Sequence, residues 1–318
     1  MSPPERHATN STALLTPTYG RDLELCALLC ESVDRHVHSF SKHYLMVPDA
    51  ELSLFSRFES DHRLVLPASA FLPTWLRPLP RVFQRNRRQY WWSLRTKPVS
   101  GWHVQQFLKI AAAISLPHER FCILDSDIVF FRDFDLARFE YPHSIPLLNL
   151  PGQVTSSFPH HARWIETTHQ LLGLPVPPLP ASDFIGHIIF WDKQTTRAMA
   201  SKIEAVTGGD WIEALCRARG GFSEYMLYGI FAQNDAGFSR SHTLTSSTPC
   251  VSYWDSPRLG QGELNQLLRR ADNDDVAFSV ASFSGTSVET IRAAVAEIAL
   301  PCAPRAFPKE PAGLAALC

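Results

Sequence analysis

No stretch of the 318-residue sequence approaches the roughly 18 uninterrupted apolar residues that cross a bilayer, and its opening residues, MSPPERHATNST, contain no apolar core of a secretory leader. Neither export nor a transmembrane segment is expected, and the sequence reads as cytoplasmic. Charge of one sign is not in excess either: 30 Lys and Arg stand against 31 Asp and Glu, a formal net charge of -1. The chain thus lacks the cationic field that non-specific nucleic-acid binding uses, and no nucleic-acid partner is expected. The seven cysteines form no CxxC pair, are odd in number and lie scattered among apolar residues, so they read as reduced core thiols. No internal repeat is visible.

What is present is a hydrophobic content of 45% over a length that can bury one large α/β core or two modest ones. Residues 1–11 read as a flexible N-terminus and 301–318 as a C-terminal tail, leaving 12–300 for one domain. Residues 12–19 are an apolar run broken by Pro17, and 21–33 repeat apolar side chains at helical spacing (Leu23, Cys26, Cys30, Val33), which predicts strand, turn and helix. Residues 44–47 and 63–66 read as strands around a helix at 48–58 that opens on proline and acidic residues. The alternation predicts an α/β fold with a parallel sheet and helices on its faces. Residues 101–115 are a helix, and 120–124 a buried strand running into Asp125.

Two proline-rich stretches interrupt this pattern. Residues 67–98 read as a long loop of the kind that serves as a lid. Within it Arg81, Arg85, Arg87 and Arg88 stand beside Tyr90, Trp91 and Trp92, either to pair with phosphates and stack on a ring or as a basic turn before core tryptophans. Residues 142–180 end in LGLPVPPLP and read as a stiff extended separator between halves of about 12–140 and 150–300. Beyond it come strands at 185–191 and 276–283 and helices at 193–206, 211–219, 222–233, 263–270 and 286–300.

The chemistry concentrates at Phe121-Cys122-Ile123-Leu124-Asp125-Ser126-Asp127. A strand delivers Asp125 and Asp127 at its carboxyl end, where period-two alternation aims both side chains to one side, and open α/β sheets bind ligands at that edge. Two neighbouring carboxylates at a buried strand end repel unless something cationic binds them. The spacing alone is common: Asp133-Phe134-Asp135 and Asp272-Asn273-Asp274 share it, but neither follows an apolar strand. A divalent cation held by such a pair would neutralise the charge developing on a leaving diphosphate. On the preceding helix Trp102, Gln105, Gln106 and Lys109 fall on one face that is polar where a core helix should be apolar, so Lys109 reads as a phosphate contact and the glutamines as partners of hydroxyls. The alternative for Lys109 is a snorkelling surface lysine.

These residues resemble the GT-A superfamily of nucleotide-diphospho-sugar glycosyltransferases, closest to a bacterial branch of it. The matching stretches span residues 12–283: Thr16-Pro17-Thr18-Tyr19, Gly101-Trp102 with Gln105, Gln106 and Lys109, Leu124-Asp125-Ser126-Asp127, Ile185-Gly186-His187 with Trp191, Phe222-Ser223-Glu224-Tyr225 with Tyr228-Gly229, and Ser252-Tyr253-Trp254. The resemblance implies a GT-A (Rossmann-like) mixed, mainly parallel sheet with a nucleotide-binding half and an acceptor half. It implies donor contacts from Thr16, Pro17, Thr18, Tyr19, Gln105, Gln106, Lys109, Asp125 and Ser126, and Mn2+ or Mg2+ on Asp125 and Asp127. His242 is the one candidate by position for a further metal ligand, its alternative being a surface loop histidine. Glu224 and Asp183 are the candidate catalytic bases, with a helix first-turn acid and a turn residue as their alternatives. His187, inside an apolar strand, reads as a satisfied histidine. The implied activity is transfer of a sugar from a nucleoside diphosphate sugar to an unknown carbohydrate or other small acceptor. Two rivals stand beside it: a haloacid-dehalogenase-like Mg-dependent phosphohydrolase, and a non-catalytic sugar- or nucleotide-binding module.

Overall fold

The computed structural model describes residues 12–80, 89–139, 144–218 and 220–298. The expected N-terminal and C-terminal tails and the arginine segment 81–88 lie outside the described residues. The fold is α/β, a mixed and mainly parallel sheet flanked by helices. Its five strands are β1 (Ala13–Pro17), β2 (His43–Val47), β3 (Arg63–Pro67), β4 (Arg120–Ile123) and a later one named below. β1 and β2 are buried at every residue, as strands covered on both faces must be. Alternation divides their side chains: Leu15 and Ile123 face one core with Phe107, Trp191 and Met226, while Leu14 and Cys122 face another with Leu29, Phe130 and Ile188.

Helix α1 (Leu23–His36) covers the second of these faces; α2 (Gly101–Ser115) descends along the first and leads into β4. After β4 the chain turns through Asp125-Ser126-Asp127 into β5 (Ile128–Phe130). α3 (Pro159–Leu172) follows, and then β6 (Ile189–Asp192), α4 (Lys193–Thr207), α5 (Glu224–Asn234), β7 (Cys250–Tyr253) and β8 (Ala277–Val280). In the main sheet the order is β6-β4-β1-β2-β3, with β6 antiparallel to β4 and the rest parallel. A smaller sheet, β7-β8-β5, pairs β8 parallel to β7 and antiparallel to β5. The aspartate triplet is therefore the chain's passage from one sheet to the other. Among the described residues no helix is long and apolar enough to cross a membrane.

Several expected elements differ. Residues 142–180 are not a stiff separator: they hold the strands Ile145–Leu148 and Leu150–Val154 and the whole of α3. Pro159 sits in the first turn of α3, where its missing N–H is no loss, and Gly173 ends the helix at φ 66°. The longest described run there without helix or strand is 173–180, which begins at that glycine. The loop expected at 67–98 contributes the short strands Arg77–Pro78 and Tyr90–Trp92 to a small antiparallel sheet with Val99–Ser100. The helix expected at 48–58 is one four-residue helical turn flanked by 3-10 turns. The strand expected from 185 starts at Ile189, because Ile188 adopts φ 59° and bends the chain before it.

Gly229 fixes how closely α5 approaches the chain entering β6. A Cβ there would lie 2.2 Å from Phe184 Cδ1 and 2.8 Å from Phe184 Cβ, in a ring that is itself buried. Gly229→Ala should gain about 1 kcal/mol of helix propensity and lose more to overpacking, for a net destabilisation of about 1–2 kcal/mol. Urea unfolding of the variant checks this, with a lower midpoint at unchanged slope as the expected result.

Candidate active site

The strand end, α2 and α5 meet around one cation. Lys109 Nζ lies 2.7 Å from Asp125 Oδ1 and 2.8 Å from Glu224 Oε1, and it donates to Tyr225 Oη at 2.9 Å. Lys109 and Glu224 are buried, whereas the Asp125 side chain is 30% exposed. Burial alone would strip the proton from Lys109, but Asp125 and Glu224 outweigh it and hold its pKa well above the usual value. Burial pushes Asp125 up, and the Lys109 charge more than reverses this, leaving it below the ordinary carboxylate range. For Glu224 burial prevails over the same lysine and its pKa is raised.

Asp127 is differently placed. The Ser282 amide donates to its Oδ2 at 3.0 Å and the Ser279 hydroxyl to its Oδ1 at 3.4 Å, and neither contact carries a positive charge. Burial, followed by repulsion from Asp125, raises its pKa to about 7. His187 completes this side: Nδ1 is 2.8 Å from Ser252 Oγ, Nε2 is 3.1 Å from Ser279 Oγ, and the ring stacks on Trp254 at 4.2 Å and 9°. Burial lowers its pKa to about 4, so it is neutral. Beyond the ends of β1, β2 and β3 opens a cleft of ≈ 1030 Å³, lined by Tyr19, Arg21, Asp49, Glu51, Arg77 and Trp91 among others.

The sequence-predicted residues divide accordingly. Asp125, Ser126, Asp127, Lys109 and Glu224 come together. Lys109 is not a snorkelling surface residue but the buried centre of an ion triad. Glu224, the first residue of α5 behind the capping Ser223, is committed to that lysine. On the same face of α2 Gln105 is half-buried, and Gln106 is 2% exposed with neither amide atom hydrogen-bonded among the described residues. Of the first-strand residues, Tyr19 lines the cleft, Pro17 ends β1, Thr18 is buried, and Thr16 Oγ1 is turned to a buried bond with His43 Nε2 at 3.0 Å. Asp183 is buried and bonded to His161.

His242 is not brought to the aspartates. Its Nε2 is 2.9 Å from Tyr228 Oη, which also accepts from the Asp192 amide, and its Nδ1 is 2.7 Å from the Phe238 carbonyl. Asp192 pairs with Arg120, at the opposite end of β4 from Asp125. Both ring nitrogens are thus engaged at the far edge of the sheet.

Among the described residues no group of three or more His, Cys, Asp or Glu could hold a metal ion. The donor set still fits a hard divalent cation of the kind bound by one or two carboxylates together with substrate phosphates. Asp127 supplies a carboxylate without a positive partner, and Asp125 keeps part of its surface open beside it.

The chain belongs to the family described as "Family of unknown function (DUF6492)", which it matches over residues 11–299. No curated protein matches it. Among solved structures it is similar to mouse xyloside xylosyltransferase 1 in its apo form, at 11% identity, with 84% of this chain and 97% of that chain covered and a TM-score of 0.44.

The raised Asp127 pKa fixes a sign. Its folded value of about 7 lies above that of an unfolded aspartate, so between the two the folded state binds the extra proton and loses stability as pH rises. Asp127→Asn removes that penalty and should raise the melting temperature at pH 8, by roughly 2–4 °C for each kcal/mol recovered, with the gain shrinking as pH falls toward 4. Manganese should raise the melting temperature of the wild type at pH 8 and leave Asp127→Asn unmoved. Melting curves at the two pH values check both statements.

Proposed function

We propose that this chain is a glycosyltransferase that takes a sugar from a nucleoside diphosphate donor, bound along the carboxyl edge of the main sheet, and passes it to a hydroxyl-bearing acceptor. The observation that supports the reading best is Asp127: a carboxylate with a pKa of about 7, at the strand end beside Asp125, with no positive charge on its hydrogen-bond partners. Such a site is stabilised by a cation, and a pyrophosphate supplies the cation's remaining ligands.

In this reading the cleft beside Tyr19 and Trp91 takes the nucleoside, and Asp127 with Asp125 would hold Mn2+ or Mg2+. When bound, that ion neutralises charge on the departing diphosphate. Lys109 fixes Asp125 and keeps it ionised, and Asp125 Oδ2, which accepts from the Tyr225 hydroxyl at 3.4 Å, keeps acceptor capacity for a donor hydroxyl. Gln105, half-buried on the same face of α2, can donate to and accept from sugar hydroxyls, while the amide of Gln106 is buried behind it. Trp254, 47% exposed and backed by His187, offers an aromatic wall over the same space.

The phosphohydrolase reading asks for a second acidic pair near the first. The segment leading into β6 instead brings His187, and Asp272, Asp274 and Asp275 hydrogen-bond one another in an exposed turn. A binding module would show no turnover and would tolerate loss of either aspartate without loss of binding. Purified protein incubated with UDP- and GDP-linked hexoses, with manganese or with chelator, separates these readings through release of nucleoside diphosphate. Turnover should require the metal, and Asp127→Ala should lower kcat/KM by about 100-fold or more. Metal-independent turnover, or cleavage of simple phosphate esters alone, would sink the proposal.

A further inference from the structure

The first turns of α2 and α3 carry a second cluster. Trp102 lies two turns before Lys109, almost directly above it on the same face of α2 and about 10 Å along the axis. It is 46% exposed. Its indole packs on Trp164 at 5.5 Å, and Trp164 stacks on His161 at 4.9 Å and 25°. His161 Nδ1 is 2.7 Å from Asp183 Oδ2, while Asp183 Oδ1 accepts from the Ile185 amide at 2.9 Å. The carboxylate is buried and both its oxygens are engaged; the His161 side chain is 30% exposed. Asp183 is thus poorly placed to take a proton from an incoming group. It orients the imidazole so that Nδ1 donates inward and Nε2, which makes no hydrogen bond among the described residues, carries the free lone pair.

Two segments tie this cluster to the aspartates. Asp183 leads through Gly186 to His187, whose Ser279 partner donates to Asp127. Gly221, at φ 71°, passes so close to Trp164 that a Cβ would lie 3.2 Å from its Nε1, and the chain then runs through Phe222 to the Glu224 that holds Lys109.

We propose that His161, oriented by Asp183, is the base for the acceptor hydroxyl, and that Trp102 and Trp164 form the platform on which a carbohydrate acceptor ring lies. Aromatic faces are partially negative and suit the C–H patches of a pyranose. The inference rests on the glycosyltransferase reading above. The hydroxyl proton passes to His161 Nε2 as the hydroxyl oxygen forms its bond to the anomeric carbon. The bond from that carbon to the diphosphate oxygen breaks, and its electron pair leaves with the nucleoside diphosphate. A single displacement of this kind inverts the anomeric centre.

The test uses the full chain with UDP-glucose and GDP-mannose as donors and a panel of para-nitrophenyl glycosides as acceptors. UDP and GDP binding with manganese is followed separately by calorimetry. Asp183 is bonded to the ring, and beyond Trp102 stands His103, whose Nδ1 is 2.9 Å from Ser100 Oγ. His161→Gln should bind the nucleoside diphosphate within about twofold of wild type and lose about 10²–10⁴-fold in transfer, with partial rescue by imidazole. Trp102→Ala should raise acceptor KM with kcat little changed. Transfer by His161→Gln within about threefold of wild type, or a loss that imidazole does not rescue, overturns the base assignment while leaving the donor site standing. If the wild type neither binds UDP or GDP nor turns over either donor, the glycosyltransferase reading fails and this one falls with it.

Discussion

The contact on which this edge of the molecule depends is the buried ammonium of Lys109 between Asp125 and Glu224. Three charges are drawn from three elements, α2, the end of β4 and the start of α5, and each would be intolerable there without the others. The arrangement carries one net negative charge, with the Tyr225 hydroxyl as an additional partner. Removing the lysine would leave two carboxylates in a low-dielectric setting, so the triad constrains where α2 and α5 can lie. The charge state of Asp125 follows from the same constraint: the lysine keeps it ionised, and that negative charge is one reason Asp127 resists ionisation. A pair of chemically identical side chains two residues apart thereby acquires two different protonation behaviours.

Much of the main sheet is legible in the sequence. β1 to β4 are short apolar runs separated by helical spacing, and a strand buried on both faces has few other readings. Among the strands that escape are β5, β7 and Ile145–Leu148, because three or four residues acquire strand character only from distant partners; β5 pairs with residues 277–279. Proline density misleads at 142–180, where Pro159 opens a helix rather than preventing one. The bend before β6 has no sequence marker at all, since it falls on a β-branched residue.

The site is legible in part for an equally physical reason. Apolar strand followed by Asp125-Ser126-Asp127 identifies an edge position, and helical periodicity places Lys109 on the face that reaches it. Periodicity says nothing of depth, however, so a lysine that sits at the centre of an ion triad reads as a ligand contact. Position along the chain suggested His242 as a metal ligand, but β6 and its partners hold that ring at the other end of β4. His161 escaped altogether: in Pro159-His160-His161 nothing distinguishes the ring that meets Asp183 from its neighbour.

Ile188 adds a further consequence. A branched side chain at φ 59° occupies a backbone region that isolated peptides avoid, and it persists only where surrounding structure over-determines it. This residue aims His187 at Ser279 and so links β6 to the smaller sheet. The orientation of that imidazole is thus a collective property of the closed fold, absent from any excised fragment. Variation at position 188 should be felt first as a loss of order at the aspartate edge, and only afterwards as a loss of the sheet itself.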